Sequence, residues 1–309
     1  MSADRSGTVP RRSGRKLALR DGIAGYLFML PAIIGFAAFV FYPLVVAAYT
    51  AFTEWNGLKP PKFIGLANFQ YLFFKDAVFW SSIRVTFIYV LLTVPVSLVL
   101  GLLMAVLLNR PIPGIRAFRT TYYLPTIIPS VAAIVLWQFI FQSDFGLING
   151  ILRSLGLPAV GWLTDKRVVL FSLAIIRYWA VGSMMIVFLA GLQSVPADLY
   201  EAAEMDGATS LQKFFDITLP MISPILFLQL ITGTISSFQI FNEAAIMTEG
   251  GPHYGSHFIN YDIYINAFQD YKLGRATAEV WVLFVIILIC TIIVFRSSDQ
   301  FVYYDSDVT

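Results

Sequence analysis

The sequence predicts an all-α, polytopic membrane protein with six transmembrane helices, and three observations carry that prediction. Hydrophobic residues make up 58% of the 309 positions and charged residues only 13%, with a mean hydropathy of +0.73, which excludes an ordinary soluble domain. Six runs with few or no charges reach the roughly 20 helical residues that a bilayer requires. Their apolar residues do not alternate with polar ones, so they do not read as the wall of a barrel.

The first run, Tyr26 to Phe52, follows a basic segment holding Arg5, Arg11, Arg12, Arg15, Lys16 and Arg20. That order imitates a signal peptide, but the apolar part exceeds an h-region of about 7 to 15 residues and reads as an uncleaved first span. The other runs are Val85 to Leu108, Thr121 to Phe141, Val168 to Leu192, Met221 to Met247 and Ala276 to Phe295. Residues 1–22 then form a basic tail, with the first twenty a disordered or interfacial lead-in. Residues 23–296 form the membrane domain and 297–309 a C-terminal tail. Pro95, Pro125 and Pro129 remove backbone hydrogen bonds within spans two and three and permit kinks there.

An even number of spans puts both termini on one side, and Lys and Arg set the orientation. The N-terminal cluster, Arg110, Arg116, Arg119, Lys213 and Arg296 fall on the N-terminal side. Lys59, Lys62, Lys75, Arg153, Lys166, Arg167, Lys272 and Arg275 fall on the other. The excess favours cytoplasmic termini, mainly through the N-terminal cluster. The external connections then hold two short amphipathic pieces, Ala67 to Phe74 and Ile148 to Leu157. Cys290 is the single cysteine, so no intrachain disulfide forms. A net charge of +2 gives no reason to expect a nucleic-acid partner.

The stretch Glu201 to Pro220, between spans four and five, stands apart. Five acids in and just before it, Asp198, Glu201, Glu204, Asp206 and Asp216, face one base, Lys213. Anionic head groups would repel such a segment and hydrocarbon would strip its hydration, so it must dock on another protein. An amphipathic loop lying on the interface is the competing reading, but such a helix carries basic residues, and they are nearly absent here. Ala197 to Met205 reads as a short helix with Pro196 near its first turn and acids early, where they complement the dipole. Gly207 breaks it. A second helix, Thr209 to Ile217, presents Leu211, Phe214 and Phe215 before Pro220 and Pro224 mark the next span.

Within this elbow, Glu201, Ala202, Ala203, Gly207, Ile217, Leu219 and Pro220 stand at the spacing Glu-Ala-Ala, three residues, Gly, nine residues, Ile, one residue, Leu-Pro, with Asp206 before the glycine. This resembles the cytoplasmic signature of ABC importer permeases. Gly250-Gly251-Pro252 and the run Tyr261 to Phe268 resemble the carbohydrate branch, the maltose-type, binding-protein-dependent permeases, and the likeness covers Ile23 to Tyr304. The chain looks like the first of the two permeases of that branch, without room for a large extra external domain. The resemblance implies the type I importer architecture in a bacterial or archaeal plasma membrane, working by alternating access. It implies three partners besides membrane lipid: a second homologous permease, a dimer of ABC ATPase subunits and an extracytoplasmic solute-binding protein. Glu201, Ala202, Ala203, Asp206, Gly207, Leu211 and Phe214 would couple to the ATPase, which would hold the ATP and Mg. This chain would bind no cofactor itself.

The residues point away from an enzyme. No G-x-x-x-x-G-K-[ST] phosphate loop and no H-E-x-x-H pair occurs. His253 and His257 sit four apart beside glycines, without a Cys or carboxylate set at ligand spacing; neither a catalytic nor a metal site is expected. Ser130 and Ser183 read as packing contacts. Polar groups inside spans are costly unless they face a wet cavity or a partner. Gln239, Asn242 and Glu243 in span five, with Arg177 and Tyr178 in span four, are the candidate substrate pathway; Gln138 and Trp137 in span three are weaker ones. Aromatic faces, amides and carboxylates suit a sugar, although Gln and Asn also serve as interhelical glue. The expected function is import of a sugar or oligosaccharide. Glycerol phosphate or another polar solute is the alternative, but a phosphate calls for more cations than Arg177. A membrane scaffold that recruits a cytoplasmic partner without transport is the remaining reading.

Overall fold

The computed structural model describes residues 14–301, with side chains over 25–297. Residues 1–13, with Arg5, Arg11 and Arg12, and residues 302–309 lie outside the described residues. From Gly14 the expected lead-in is already helical: α1 (Gly14–Phe36) passes through a π-helical turn, Ala37–Phe41, into α2 (Tyr42–Ala51). The first predicted span is thus one continuous rod, Gly25–Ala51. Beyond it, β1 (Thr53–Glu54) and β2 (Lys62–Phe63) pair antiparallel, Thr53 opposite Phe63, and α3 occupies Ala67–Phe74 as predicted.

The second span, α4 (Ala77–Leu108), starts before the predicted Val85. Arg84 interrupts the charge-free run after its first turns, but the Asp76 carboxylate caps it, accepting from the amides of Val78 at 3.0 Å and Phe79 at 3.1 Å. The sixth span, α15 (Leu273–Phe301), likewise starts ahead of Ala276 and runs past Arg296, so the predicted tail boundary falls inside a helix.

The third, fourth and fifth spans are broken rather than straight. The third is α5 (Ile115–Tyr123) with a 3₁₀ turn, Leu124–Thr126, and then α6 (Ser130–Ile140) at 93° to it. Pro125 lies in that turn and Pro129 stands at the α6 N-cap with ψ 132°, where its extended backbone ends one helix and starts the next. Beyond the short connecting helix α7 (Leu147–Ser154), α8 (Val169–Trp179) meets α9 (Gly182–Ser194) at 47°. A Cβ on Gly182 would stand 2.3 Å from the Tyr122 carbonyl oxygen, so the glycine lets the fourth span lie against the third.

The acidic elbow follows: α10 (Ala197–Met205), α11 (Ser210–Gln212), a π-helical turn Lys213–Thr218 and α12 (Leu219–Met221). The first helix has the predicted bounds. The second continues beyond the predicted Ile217 and turns 65° at Ile222 into α13 (Ser223–Phe238). Pro224 in the first turn of α13 has no amide to give the preceding helix. The fifth span was predicted to reach Met247, but α13 stops at Phe238; the chain is irregular through Phe241 and turns helical again at Asn242, ending in a π-helical turn Ala244–Thr248. α14 (Ile259–Tyr264) and a further π turn, Ile265–Gln269, lead to α15. Among the described residues three helices are long and apolar enough to cross a membrane, and three bent pairs reach that length together, six in all.

The long α4 is the spine. It packs on α8, α9, α13 and α14 and buries Ser82, Thr86, Tyr89, Thr93 and Ser97 along one face. Thr86 Oγ1 accepts from the Ile259 amide at 3.1 Å, tying α4 to the start of α14. Outward, the molecule shows large apolar side chains such as Phe28, 87% exposed, and Phe39, 83%, a density that lipid accommodates and water does not.

Candidate functional site

Two places carry chemistry: the elbow and a cavity at the break in the fifth span. At the elbow, α10 ends in a Schellman turn. The Ala208 amide donates to the Ala203 carbonyl at 2.9 Å and the Gly207 amide to the Glu204 carbonyl at 3.1 Å, while Gly207 has φ +76°, the left-handed conformation that glycine takes at such a stop. Nothing stands within 4 Å of a Cβ built on Gly207. The glycine is therefore demanded by backbone conformation and not by crowding within the chain.

The next helix starts with a capping box. The Gln212 amide donates to Thr209 Oγ1 at 3.3 Å and the Thr209 amide to Gln212 Oε1 at 2.8 Å. Two cross-links set the angle between the helices: Lys213 Nζ to Glu204 Oε1 at 2.6 Å, and Tyr200 Oη to Thr218 Oγ1 at 2.8 Å. The hydrogen bond and charge of Lys213 hold the Glu204 carboxyl below its usual range. Of the predicted coupling residues, Glu201, Ala202, Asp206, Gly207 and Leu211 are exposed, whereas Ala203 and Phe214 are half-buried. Phe214 meets Phe215 edge-on, centroids 5.1 Å apart. Met205, 89% exposed, Leu211, 69%, and Phe215, 56%, leave an apolar knuckle among the acids. Met205 and Phe215 were not among the predicted coupling residues; their position in the turn between signature residues was the available signal.

The cavity, of ≈ 190 Å³, is lined by Tyr89, Arg177, Ser236, Ser237, Gln239, Asn242 and Glu243, closed by Ile240 and Phe241. It brings together four of the five predicted pathway residues because α13 stops at Phe238, where the open backbone turns Gln239, Asn242 and Glu243 to one side. Arg177, in the last turn of α8, donates from Nη2 to Ser236 Oγ at 2.8 Å across to α13.

Tyr178 does not line the cavity. Its hydroxyl donates to the Leu92 carbonyl at 2.8 Å, and its ring packs in the apolar cluster beside Tyr89 and Leu173, so it ties α8 to α4. Trp137 is also structural, packing against Phe141 and Trp179 with centroids 5.1 Å and 5.7 Å apart; Gln138 does not reach the cavity. Tyr89, Ser236 and Ser237 were missed. Tyr89 belongs to a polar stripe, Ser82, Thr86, Tyr89, Thr93 and Ser97, at three- and four-residue spacing, a legible mark of a helix face turned from lipid.

His257 Nε2 lies 3.0 Å from Asp262 Oδ1, a buried polar pair. Among the described residues no group of three or more His, Cys, Asp and Glu side chains is placed to hold a metal ion.

Residues 97–303 match the family described as binding-protein-dependent transport system inner membrane component. The chain is similar to a probable ABC transporter permease protein, YesP, of Bacillus subtilis, 40% identical over 291 residues and covering 93% of this chain and 94% of the relative. It is similar to the trehalose/maltose transport system permease protein MalF of Thermococcus litoralis, 32% identical, covering 84% and 87%. It also resembles a solved permease of a bacterial ABC transporter involved in the import of the acidic polysaccharide alginate, at 26% identity and a TM-score of 0.81 over 92% of this chain and 98% of that one. The type I importer permease architecture expected from the signature is thus the architecture present, and the chain is a transport subunit, not an enzyme. It belongs to the family of inner membrane components of binding-protein-dependent ABC transport systems.

Proposed function

We propose that the chain is the permease through which an ATP-driven importer passes a sugar or oligosaccharide, received from an extracytoplasmic solute-binding protein, by alternating access. The observation that carries this reading is the broken fifth span, whose open backbone turns amide, hydroxyl and charged groups into one cavity inside the bundle; discontinuous helices of this kind build substrate sites in transporters. Relatives named for trehalose and maltose and for starch degradation products support a sugar. A solved relative in complex with an alginate pentasaccharide-bound periplasmic protein supports the delivery step.

In this reading a second, homologous permease completes the pathway, and two ATPase subunits, which hold ATP and Mg, seat the acidic elbow in the cytoplasm. Glu201, Ala202, Ala203, Asp206, Gly207, Leu211 and Phe214 form the coupling face, and both termini are cytoplasmic. ATP-driven closure moves the elbow. Its two helices, held by the Glu204–Lys213 and Tyr200–Thr218 links, move as one piece and shift α13, and the cavity opens in turn to each side. Reconstituting the complex in liposomes tests this: sugar-loaded binding protein stimulates ATP hydrolysis and sugar accumulates inside. A scaffold without transport gives neither response.

A further inference from the structure

Arg177 supplies the only guanidinium among the residues lining the cavity. One of its five N–H groups donates to Ser236 Oγ, and among the described residues no carboxylate lies within ion-pair reach of it. Glu243 lines the same cavity but stands beyond that reach. A fixed cation inside a membrane-embedded bundle is costly unless a counter-charge meets it. A guanidinium keeps its proton throughout, and Glu243 acts on it across the cavity without a hydrogen bond to it, so the remaining N–H groups of the fork are open to an arriving anion.

The donor geometry narrows the anion. The planar fork matches a carboxylate through two parallel hydrogen bonds. Gln239, Asn242 and Ser237 offer amides and a hydroxyl to sugar hydroxyls, and Glu243 offers an acceptor to them. A single guanidinium fork can meet one anionic group; the second charge of a phosphate would find no further cation in the lining and would face Glu243. A cleft of ≈ 1020 Å³ beside the β1–β2 hairpin has the matching sign, lined by Lys59, Lys62 and Arg275, with Lys272 paired to Asp270 and Glu54 the one acid of the lining. Such a cleft raises the local concentration of anions.

We propose that the substrate is an acidic oligosaccharide bearing a uronic acid carboxylate, and that Arg177 is the side chain that selects it. This rests on the sugar-import reading above. The test uses the complete transporter with its own binding protein in proteoliposomes, and three probes: trigalacturonate, its methyl ester and maltotriose, each at a concentration that gives maximal uptake. Trigalacturonate is expected to enter about tenfold faster than the ester or faster still, the scale of a charge-assisted hydrogen-bond pair. Arg177→Gln removes the difference, and Arg177→Lys, which keeps the charge but not the fork, retains part of it. The acid-against-ester comparison on the unaltered protein needs no variant to assemble. Equal uptake of acid and ester, or uptake of the ester or maltotriose without the acid, overturns the inference and leaves sugar import standing. No uptake of any probe, with ATP hydrolysis unstimulated, removes the sugar reading and this inference with it.

Discussion

The amide of Ala208 reaches back to the carbonyl of Ala203 at 2.9 Å, closing α10 over a left-handed Gly207. Any other L-residue at Gly207 takes on a backbone strain of about 1 kcal/mol or more, with no compensating contact in the open space around it. Gly207→Val is expected to leave the permease inserted and assembled by size-exclusion profile while reducing ATP-coupled uptake several-fold. Normal uptake in that variant would show that the shape of the turn is not transmitted to the spans.

The cavity residues at the end of α13 are expected to separate binding from assembly. Gln239→Ala and Asn242→Ala each remove hydrogen-bonding groups from the cavity lining, and each is expected to lower uptake about tenfold without reducing recovery of the assembled complex. Transport at the unaltered rate in both would place the substrate elsewhere in the bundle.

Tyr89 extends that test to the second span. Its ring packs edge-on against Phe258 with centroids 5.1 Å apart, a contact that phenylalanine keeps. Tyr89→Phe therefore removes only the hydroxyl, and is expected to raise the substrate concentration for half-maximal uptake several-fold while the melting temperature of the complex changes little. The reverse pattern, a large drop in melting temperature with normal uptake, would make Tyr89 a packing residue.

Much of this was legible in the chain. The apolar runs located all six spans, and the signature spacing located the elbow with the bounds of α10 correct at both ends. Broken helices were not legible, because a hydropathy run registers length and composition but not direction. Pro125, Pro129 and Pro224 mark candidate breaks, yet Pro31 and Pro95 sit inside continuous helices, so proline alone does not tell a break from a tolerated kink. The stop at Phe238 has no proline or glycine within four residues on either side, Gly233 being inside the helix. Tyr178 and Arg177 are adjacent in sequence and diverge by the rotation of α8 between neighbouring positions, which a sequence with an irregular bend next to it does not disclose.

The bend between α8 and α9 depends on a close approach. A side chain on Gly182 would collide with the backbone of Tyr122 and Tyr123, at 2.3 Å and 2.9 Å, and backbone cannot swing aside as a flexible side chain does. Gly182→Val is expected to destabilise the bundle by about 1–3 kcal/mol, read as a lower melting temperature of the purified complex. An unchanged melting temperature would mean that the third and fourth spans separate freely.

The Lys213–Glu204 pair has a pH dependence of defined sign. Glu204 is held below its ordinary range in the folded elbow, so the ordering it supplies is complete above the ordinary carboxylate range and is lost as pH falls through the lowered value. Hydrogen exchange in the intact complex, corrected for intrinsic rates, is expected to show steady protection across 204–213 from neutral pH through mild acid, with loss only in stronger acid. In Lys213→Met the pair is absent, and protection across 204–213 is expected to be lower already at neutral pH and to lose this acid-dependent step. Protection that instead faded as the pH rose would contradict the pairing.

The contact of the elbow with a cytoplasmic ATPase is the central claim, and site-specific crosslinking tests it most directly. In a Cys290→Ser background, which leaves no other cysteine, Leu211→Cys places a thiol on the exposed knuckle. Short bifunctional reagents applied to the assembled transporter should join this position to the ATPase subunit, with a yield that changes when ATP closes the motor. Labelling of the same thiol by an impermeant reagent from outside the cell, with no product joined to the ATPase, would contradict the account.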